Sequence, residues 1–117
     1  MIRFAALAAL LVPLASSPVF AMNDRPQALQ LDVRQTGDAI EVQLIGHSPR
    51  AQQVSYTLEV TGLSTSRHRG MTTLAANAHT VLSTVRVNAG ETWCVRLLAE
   101  EEGREPYEIR AGDCATQ

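Results

Sequence analysis

Apolar and polar residues alternate strictly in two neighbouring runs of the chain, and this pattern restricts the fold more than any other. The apolar positions of the two runs are Leu29, Leu31, Val33, Ile40, Val42 and Leu44. Side chains of successive strand residues point to opposite faces, so each run predicts a β-strand with one buried and one exposed face. Gly37 and Asp38, two residues typical of turns, lie between the runs. The sequence therefore predicts a β-hairpin.

The rest of the chain repeats this short-strand pattern and offers no persuasive amphipathic helix. Strands are predicted at residues 54–61, 79–88, 92–100 and 107–111, with a polar loop at 64–70 and a short edge strand at 71–74. Two sets of side chains are predicted to share a face: Val81, Val85 and Val87, and Trp93, Val95 and Leu97. About seven short strands separated by turns indicate an all-β fold, an immunoglobulin-like two-sheet sandwich of antiparallel strands. A small open barrel is the alternative architecture.

The N-terminus has the three-part layout of a secretory signal peptide. A positive start at Arg3 precedes the apolar run 4–14, and Val19 and Ala21 supply the compact residues at the −3 and −1 positions of a cleavage site. The run of about 11 residues is shorter than the roughly 20 that span a bilayer, so a permanent anchor is the less favoured alternative. We expect residues 1–21 to be cleaved, which leaves one domain, residues 22–117, in the periplasm and off the membrane.

The two cysteines, Cys94 and Cys114, both lie in the part that would be exported. An even pair in an oxidising compartment predicts one disulfide. The spacing excludes a C-x-x-C redox motif, and two thiols are too few for a structural zinc site. A free or catalytic thiol pair is the alternative.

Charge and aromatic content argue against nucleic acid as a partner. The formal net charge is −2, without the basic excess of a general nucleic-acid binder. The predicted domain has three aromatic residues, Tyr56, Trp93 and Tyr107, and all fall at core-facing positions of the strand pattern. That leaves no exposed platform on which bases or sugars would stack.

No group of residues has the spacing of a catalytic or metal site. His47, His68 and His79 are scattered and lack the spacing of a metal pair, so they are interpreted as surface histidines. An acidic cluster, interpreted as a solvated turn, consists of Glu100, Glu101, Glu102, Glu105 and Glu108. No serine stands in a nucleophile motif. We expect no enzyme activity, no metal and no cofactor.

Arginines are the remaining candidates for function. They are predicted on outward strand positions or at strand and loop ends, where they would form a contact surface for an acidic or polar partner. These candidate partner-binding residues are Arg34, Arg67, Arg69, Arg86 and Arg96.

The order of several segments resembles the small periplasmic curli-assembly chaperones, the CsgC and CsgH group, most closely the CsgH type. The segments are residues 31–38, 40–44, 54–60, 88–94 and 112–114. The resemblance implies an immunoglobulin-like sandwich that stops a curli-type amyloid subunit from polymerising before secretion. We expect a monomer that meets this partner transiently. The C-x-C pair of the CsgC branch is absent here, so redox activity is not implied.

Two other functions compete with this interpretation. A secreted sandwich of this kind could be a structural subunit of a surface fibre or larger complex. The N-terminal residues 22–27 are too short and polar to serve as a donor strand, which disfavours assembly. A thiol-active or metal-dependent enzyme is disfavoured by the cysteine spacing and the scattered histidines.

Overall fold

Residues 26–114, the part of the chain that the computed structural model describes, fold into seven β-strands in two antiparallel sheets. The strands are β1 (Leu29–Thr36), β2 (Ala39–Gly46), β3 (Gln52–Thr61), β4 (Thr65–Leu74), β5 (Thr80–Asn88), β6 (Cys94–Glu101) and β7 (Tyr107–Gly112). One sheet has the order β1-β2-β5 and the other β4-β3-β6-β7. The predicted all-β sandwich is confirmed. The predicted signal peptide, residues 1–21, lies outside the described residues.

The first hairpin forms as its alternating pattern predicts. Leu31 pairs with Leu44 and Val33 with Val42, so apolar side chains stand opposite one another on the inner face. Gly37, at φ 61°, takes the left-handed conformation in the turn, which a residue with a Cβ adopts only at a cost.

The core lies between the inner faces of the two sheets. Its fully buried side chains come chiefly from the central strands β2, β3 and β6, and include Ile40, Val42, Leu44, Val54, Leu58, Val60, Val95 and Leu97. Each such aliphatic side chain contributes about 1.5–3 kcal/mol through removal of apolar surface from water. Tyr56, Trp93 and Tyr107 are half-buried and pack against this core, as the strand pattern predicted.

The polar loop predicted at residues 64–70 is wrong, because β4 runs without interruption from Thr65 to Leu74. It pairs with β3 along its whole length, from Thr61 with Thr65 to Gln52 with Leu74. Leu74 is the only buried residue of this strand. An edge strand with polar side chains on both faces has no apolar alternation, so the sequence pattern could not reveal it.

The predicted shared face of Val81, Val85 and Val87 is also wrong at its first position. Leu44 pairs with Ser83 but Ile45 pairs with Val81, so Leu82 is the extra residue of a β-bulge. The bulge reverses the alternation of β5: Leu82 packs against the core, and Val81 is 52% exposed.

The predicted disulfide is present between Cys94 and Cys114, whose Cα atoms are 5.1 Å apart. Both cysteines are buried. The bond ties the first residue of β6 to the chain just after β7, and so fixes one end of the β6–β7 hairpin. Trp93 lies directly before β6, which begins two residues later than predicted.

Candidate protein-binding surface

The five candidate arginines divide between the two outer faces of the sandwich. Arg34 on β1 and Arg86 on β5 both stand beside Glu41 of β2, on the three-stranded sheet. Arg67, Arg69 and Arg96 belong to the four-stranded sheet. The structure therefore does not bring all five together, because strands that look alike in sequence enter different sheets.

A row of charged side chains crosses the outer face of the four-stranded sheet. The register aligns Arg67 of β4, Glu59 of β3, Arg96 of β6 and Arg110 of β7, and we call these four residues the charged row. Sequence reasoning missed Arg110. The strand alternation could have identified it, since Arg110 stands between Ile109 and Ala111, which both face the core.

Within the charged row, the cations of β6 and β7 are neutralised by carboxylates. The Arg96 Nε lies 2.9 Å from Glu108, and the Arg96 guanidinium 3.9 Å from Glu59. Arg110 lies 3.1 Å from the other oxygen of Glu108. Arg110, and then Arg96, hold the pKa of the Glu108 carboxyl below its usual value by hydrogen bonding. These arginines are therefore occupied by partners within the domain.

The two arginines of β4 differ from those of β6 and β7. Arg67 and Arg69 are both exposed. In residues 26–114 neither of them forms a salt bridge with a carboxylate, whereas Arg96 and Arg110 both do. Their charge is therefore available to a partner that approaches from solvent.

An open depression of about 720 Å³ lies beside Arg69 on the same outer face. Its lining includes two exposed apolar side chains, Met71 and Leu98, which are 65% and 47% exposed, together with the polar side chains of Ser55 and Thr57. Glu100 and Glu108 line the side opposite Arg69. The outer face of the four-stranded sheet thus combines two cations that form no salt bridge within residues 26–114 with two exposed apolar side chains.

The acidic cluster of the last hairpin is not the wholly solvated turn that its sequence predicts, because Glu101 does not face solvent. Glu101 is buried, and its carboxylate accepts a hydrogen bond of 2.7 Å from the Ala28 N–H. It also accepts one from the Tyr107 hydroxyl, and Arg104 lies 3.9 Å away. Burial, and then the bond to Glu101, raises the pKa of the Tyr107 hydroxyl. This cluster fastens the chain entering β1 to the β6–β7 hairpin.

Two histidines that are distant in sequence meet in the fold. The rings of His47 and His79 stack with centroids 4.1 Å apart, because the end of β2 pairs with the start of β5. His68 is exposed on β4 and hydrogen-bonds Ser66 at 2.7 Å. No group of three or more metal-ligating side chains occurs among the described residues. Residues 26–114 also contain no helix that is long and apolar enough to cross a membrane.

The fold is that of a small disulfide-linked β-sandwich, and two solved structures share it. The E. coli curli protein CsgC is similar with a TM-score of 0.53 and 12% identity, over 70% of this chain and 94% of that one. R. palustris CsgH is similar with a TM-score of 0.51 and 19% identity, over 72% of this chain and 89% of that one. No family model and no curated protein matches by sequence. The expected CsgC- and CsgH-like fold is therefore present.

Proposed function

We propose that this chain is an exported chaperone that delays the amyloid polymerisation of a curli-type subunit through transient surface contacts. The observation that carries the proposal is the outer face of the four-stranded sheet, where the exposed cations Arg67 and Arg69 lie on the strand that borders an open depression with exposed Met71 and Leu98. This face stands on a fold shared with the curli proteins CsgC and CsgH.

The physical requirements of such a chaperone match this surface. Amyloid nuclei grow by adding strands at exposed edges, and nuclei are rare compared with monomers. A protein that binds them weakly can therefore delay fibre formation without binding every subunit. Contacts through exposed charge form rapidly and release readily, and they need no deep pocket or cofactor.

Export is part of the proposal. Residues 1–21 would direct the chain out of the cytoplasm, and the Cys94–Cys114 bond suits an oxidising compartment. The client would meet the chaperone there while it is still unfolded and awaiting secretion.

The test is the lag time of fibrillation of a purified curli subunit in the presence of the mature protein, residues 22–117. We expect substoichiometric protein to lengthen the lag. The effect should weaken as salt rises from about 0.05 to 0.3 M, because the Debye length shortens. An unchanged lag over a wide range of protein concentration, while the subunit alone forms fibres, would contradict the proposal.

Charge reversal locates the contact. Arg67→Glu with Arg69→Glu should shorten the lag toward that of the subunit alone, because these cations are exposed and form no salt bridge within residues 26–114. The matched control is Arg34→Glu with Arg86→Glu on the opposite sheet, which should leave inhibition unchanged. Arg96 is not reversed, because it forms ion pairs with both Glu59 and Glu108 and its side chain is only 33% exposed, so a glutamate there would break two interactions of the sheet as well as change the surface charge. Polymerisation of the protein by itself would instead favour a structural subunit.

A further inference from the structure

The outer edge of β4 is a long strand edge in the part of the chain that the structure describes. At ten residues, β4 is as long as its neighbour β3. Its register against β3 is continuous, and within residues 26–114 its other edge has no strand partner. An unpaired edge presents N–H and C=O groups that can bond an added strand.

The other edges of the two sheets are less suited to strand addition. At the far side of the same sheet, β7 has only six residues. In the other sheet, β5 is interrupted by the bulge at Leu82. The fourth edge, β1, has eight residues, but its Arg34 is already paired with Asp32 at 3.3 Å, so it is less suited to a strand of opposite charge. Bulges and short length protect an edge against pairing.

The side chains of β4 determine which kind of strand its free edge would bind. Arg67, Arg69 and Met71 lie at alternate positions, so all three project from the outer face. A second copy of β4 paired antiparallel about His68 would place Arg67 opposite Arg69, and like charges directly opposite are unfavourable. Pairing of two copies in this register is thus disfavoured, whereas a strand of opposite charge would suit the edge.

We infer that the free edge of β4 binds an extended acidic segment of the client as an additional strand. The segment carries two carboxylates at alternate positions, which face Arg67 and Arg69, and an apolar side chain at the next alternate position, which packs on Met71. Main-chain hydrogen bonds supply the binding and the side chains select the segment. This inference rests on the proposed function and specifies how the client is recognised.

Three synthetic peptides test the inference with the isotope-labelled mature protein. The first has two glutamates and a valine at alternate positions, separated by threonines. The second has the same sequence with N-methyl groups on alternate backbone nitrogens, so that it keeps the charge but cannot pair along that edge. The third has lysines in place of the glutamates. Binding is followed by amide chemical shifts and by hydrogen exchange of β4.

We expect the first peptide to bind and to slow amide exchange in β4, and the other two to bind weakly or not at all. Arg67→Glu with Arg69→Glu should weaken the first peptide roughly tenfold, since attraction becomes repulsion at both positions. Arg34→Glu with Arg86→Glu is the matched control and should leave its affinity unchanged. Equal binding of the methylated peptide, or protection of β1, β5 or β7 instead of β4, would overturn the inference.

The fibrillation assay separates this inference from the proposed function. If the protein lengthens the lag but the first peptide does not bind β4, the chaperone function stands and recognition at the edge is wrong. If that peptide binds β4 and the lag is unchanged, the edge is a strand-binding site and the proposed function is wrong.

Discussion

At the scale of single residues, Tyr56 and Tyr107 make two different kinds of contact. Tyr56 stands directly opposite Gly70 across the β3–β4 pair, and a Cβ on Gly70 would collide with the tyrosine ring and hydroxyl. The aromatic ring thereby covers a position in β4 that has no side chain of its own. Tyr107 instead directs its hydroxyl to the buried Glu101.

Tyr107→Phe should lower the free energy of unfolding by about 1 kcal/mol, because it removes a hydrogen bond to a buried carboxylate. The Leu29 N–H, 3.3 Å from the same hydroxyl, also loses its acceptor. The matched control is Tyr56→Phe, which should change stability little. Urea denaturation monitored by Trp93 fluorescence measures both variants, and an equal loss in the two would contradict the assigned role.

The same hydroxyl predicts how stability depends on alkaline pH. Its folded-state pKa is raised above the ordinary value of 10.0, mainly by burial. The contribution of the neutral Tyr107 hydroxyl to the free energy of unfolding is therefore fully present below pH 10, and it is lost as the pH rises toward the folded-state pKa. We expect the urea midpoint to fall above pH 10 in the wild type and to fall less in Tyr107→Phe. Parallel curves for the two proteins would show that another group titrates.

At the scale of elements, the hairpin β1–β2 and the edge strand at residues 71–74 were predictable from sequence, whereas residues 65–70 of β4 and the facing of the first residues of β5 were not. In β1 and β2 one face is buried and the other faces solvent, so apolar and polar residues alternate in the sequence. In β4 neither face is apolar, and in β5 one inserted residue reverses the alternation. The grouping of the arginines was likewise hidden, because the sheet that each strand joins depends on long-range pairing.

The bulge in β5 predicts different effects on stability for substitutions at Leu82 and Val81. Leu82→Ala should destabilise the protein by about 1–3 kcal/mol, since it leaves a gap against the core. The Leu82 side chain also lies close to Gly46, as does that of Leu74. Val81→Ala is the matched control and should change stability by less than about 0.5 kcal/mol, because Val81 is exposed. Chemical denaturation compares them, and the reverse order would mean that β5 has no bulge at this point.

The disulfide acts on the β6–β7 hairpin. Replacing both Cys94 and Cys114 by serine should lower the free energy of unfolding by about 2–4 kcal/mol, because the unfolded chain loses a constraint. The folded variant should keep its β-type circular dichroism at low temperature. A variant as stable as the wild type would mean that the bond does not stabilise this domain.

At the scale of the whole molecule, the two sheets differ in what their outer faces offer. The four-stranded sheet carries the charged row, the depression and the free edge of β4, whereas the three-stranded sheet carries Arg34 and Arg86 beside Glu41. A client that contacts the first sheet would leave the second one exposed to solvent. This difference between the sheets is what the paired charge reversals measure.

Export predicts a specific mature molecule. Mass spectrometry of the protein recovered from the periplasm should find an N-terminus at Met22 and a mass two hydrogens below that of the reduced chain. Trapping with an alkylating reagent before unfolding should label no thiol. Retention of residues 1–21 would contradict signal cleavage, and two labelled thiols would contradict an oxidised protein in that compartment.

The burial pattern of β4 has a consequence for how proteins with this fold diversify. Of its ten residues, Leu74 alone is buried, and Gly70 is restricted by the tyrosine ring above it. Substitutions at its six exposed positions disturb no core packing, so each costs little stability. Mutation can therefore vary this strand while the rest of the sandwich stays under selection for packing. Related domains should differ most along this edge. A changed preference for clients would then arise through variants that are no less stable than the parent protein.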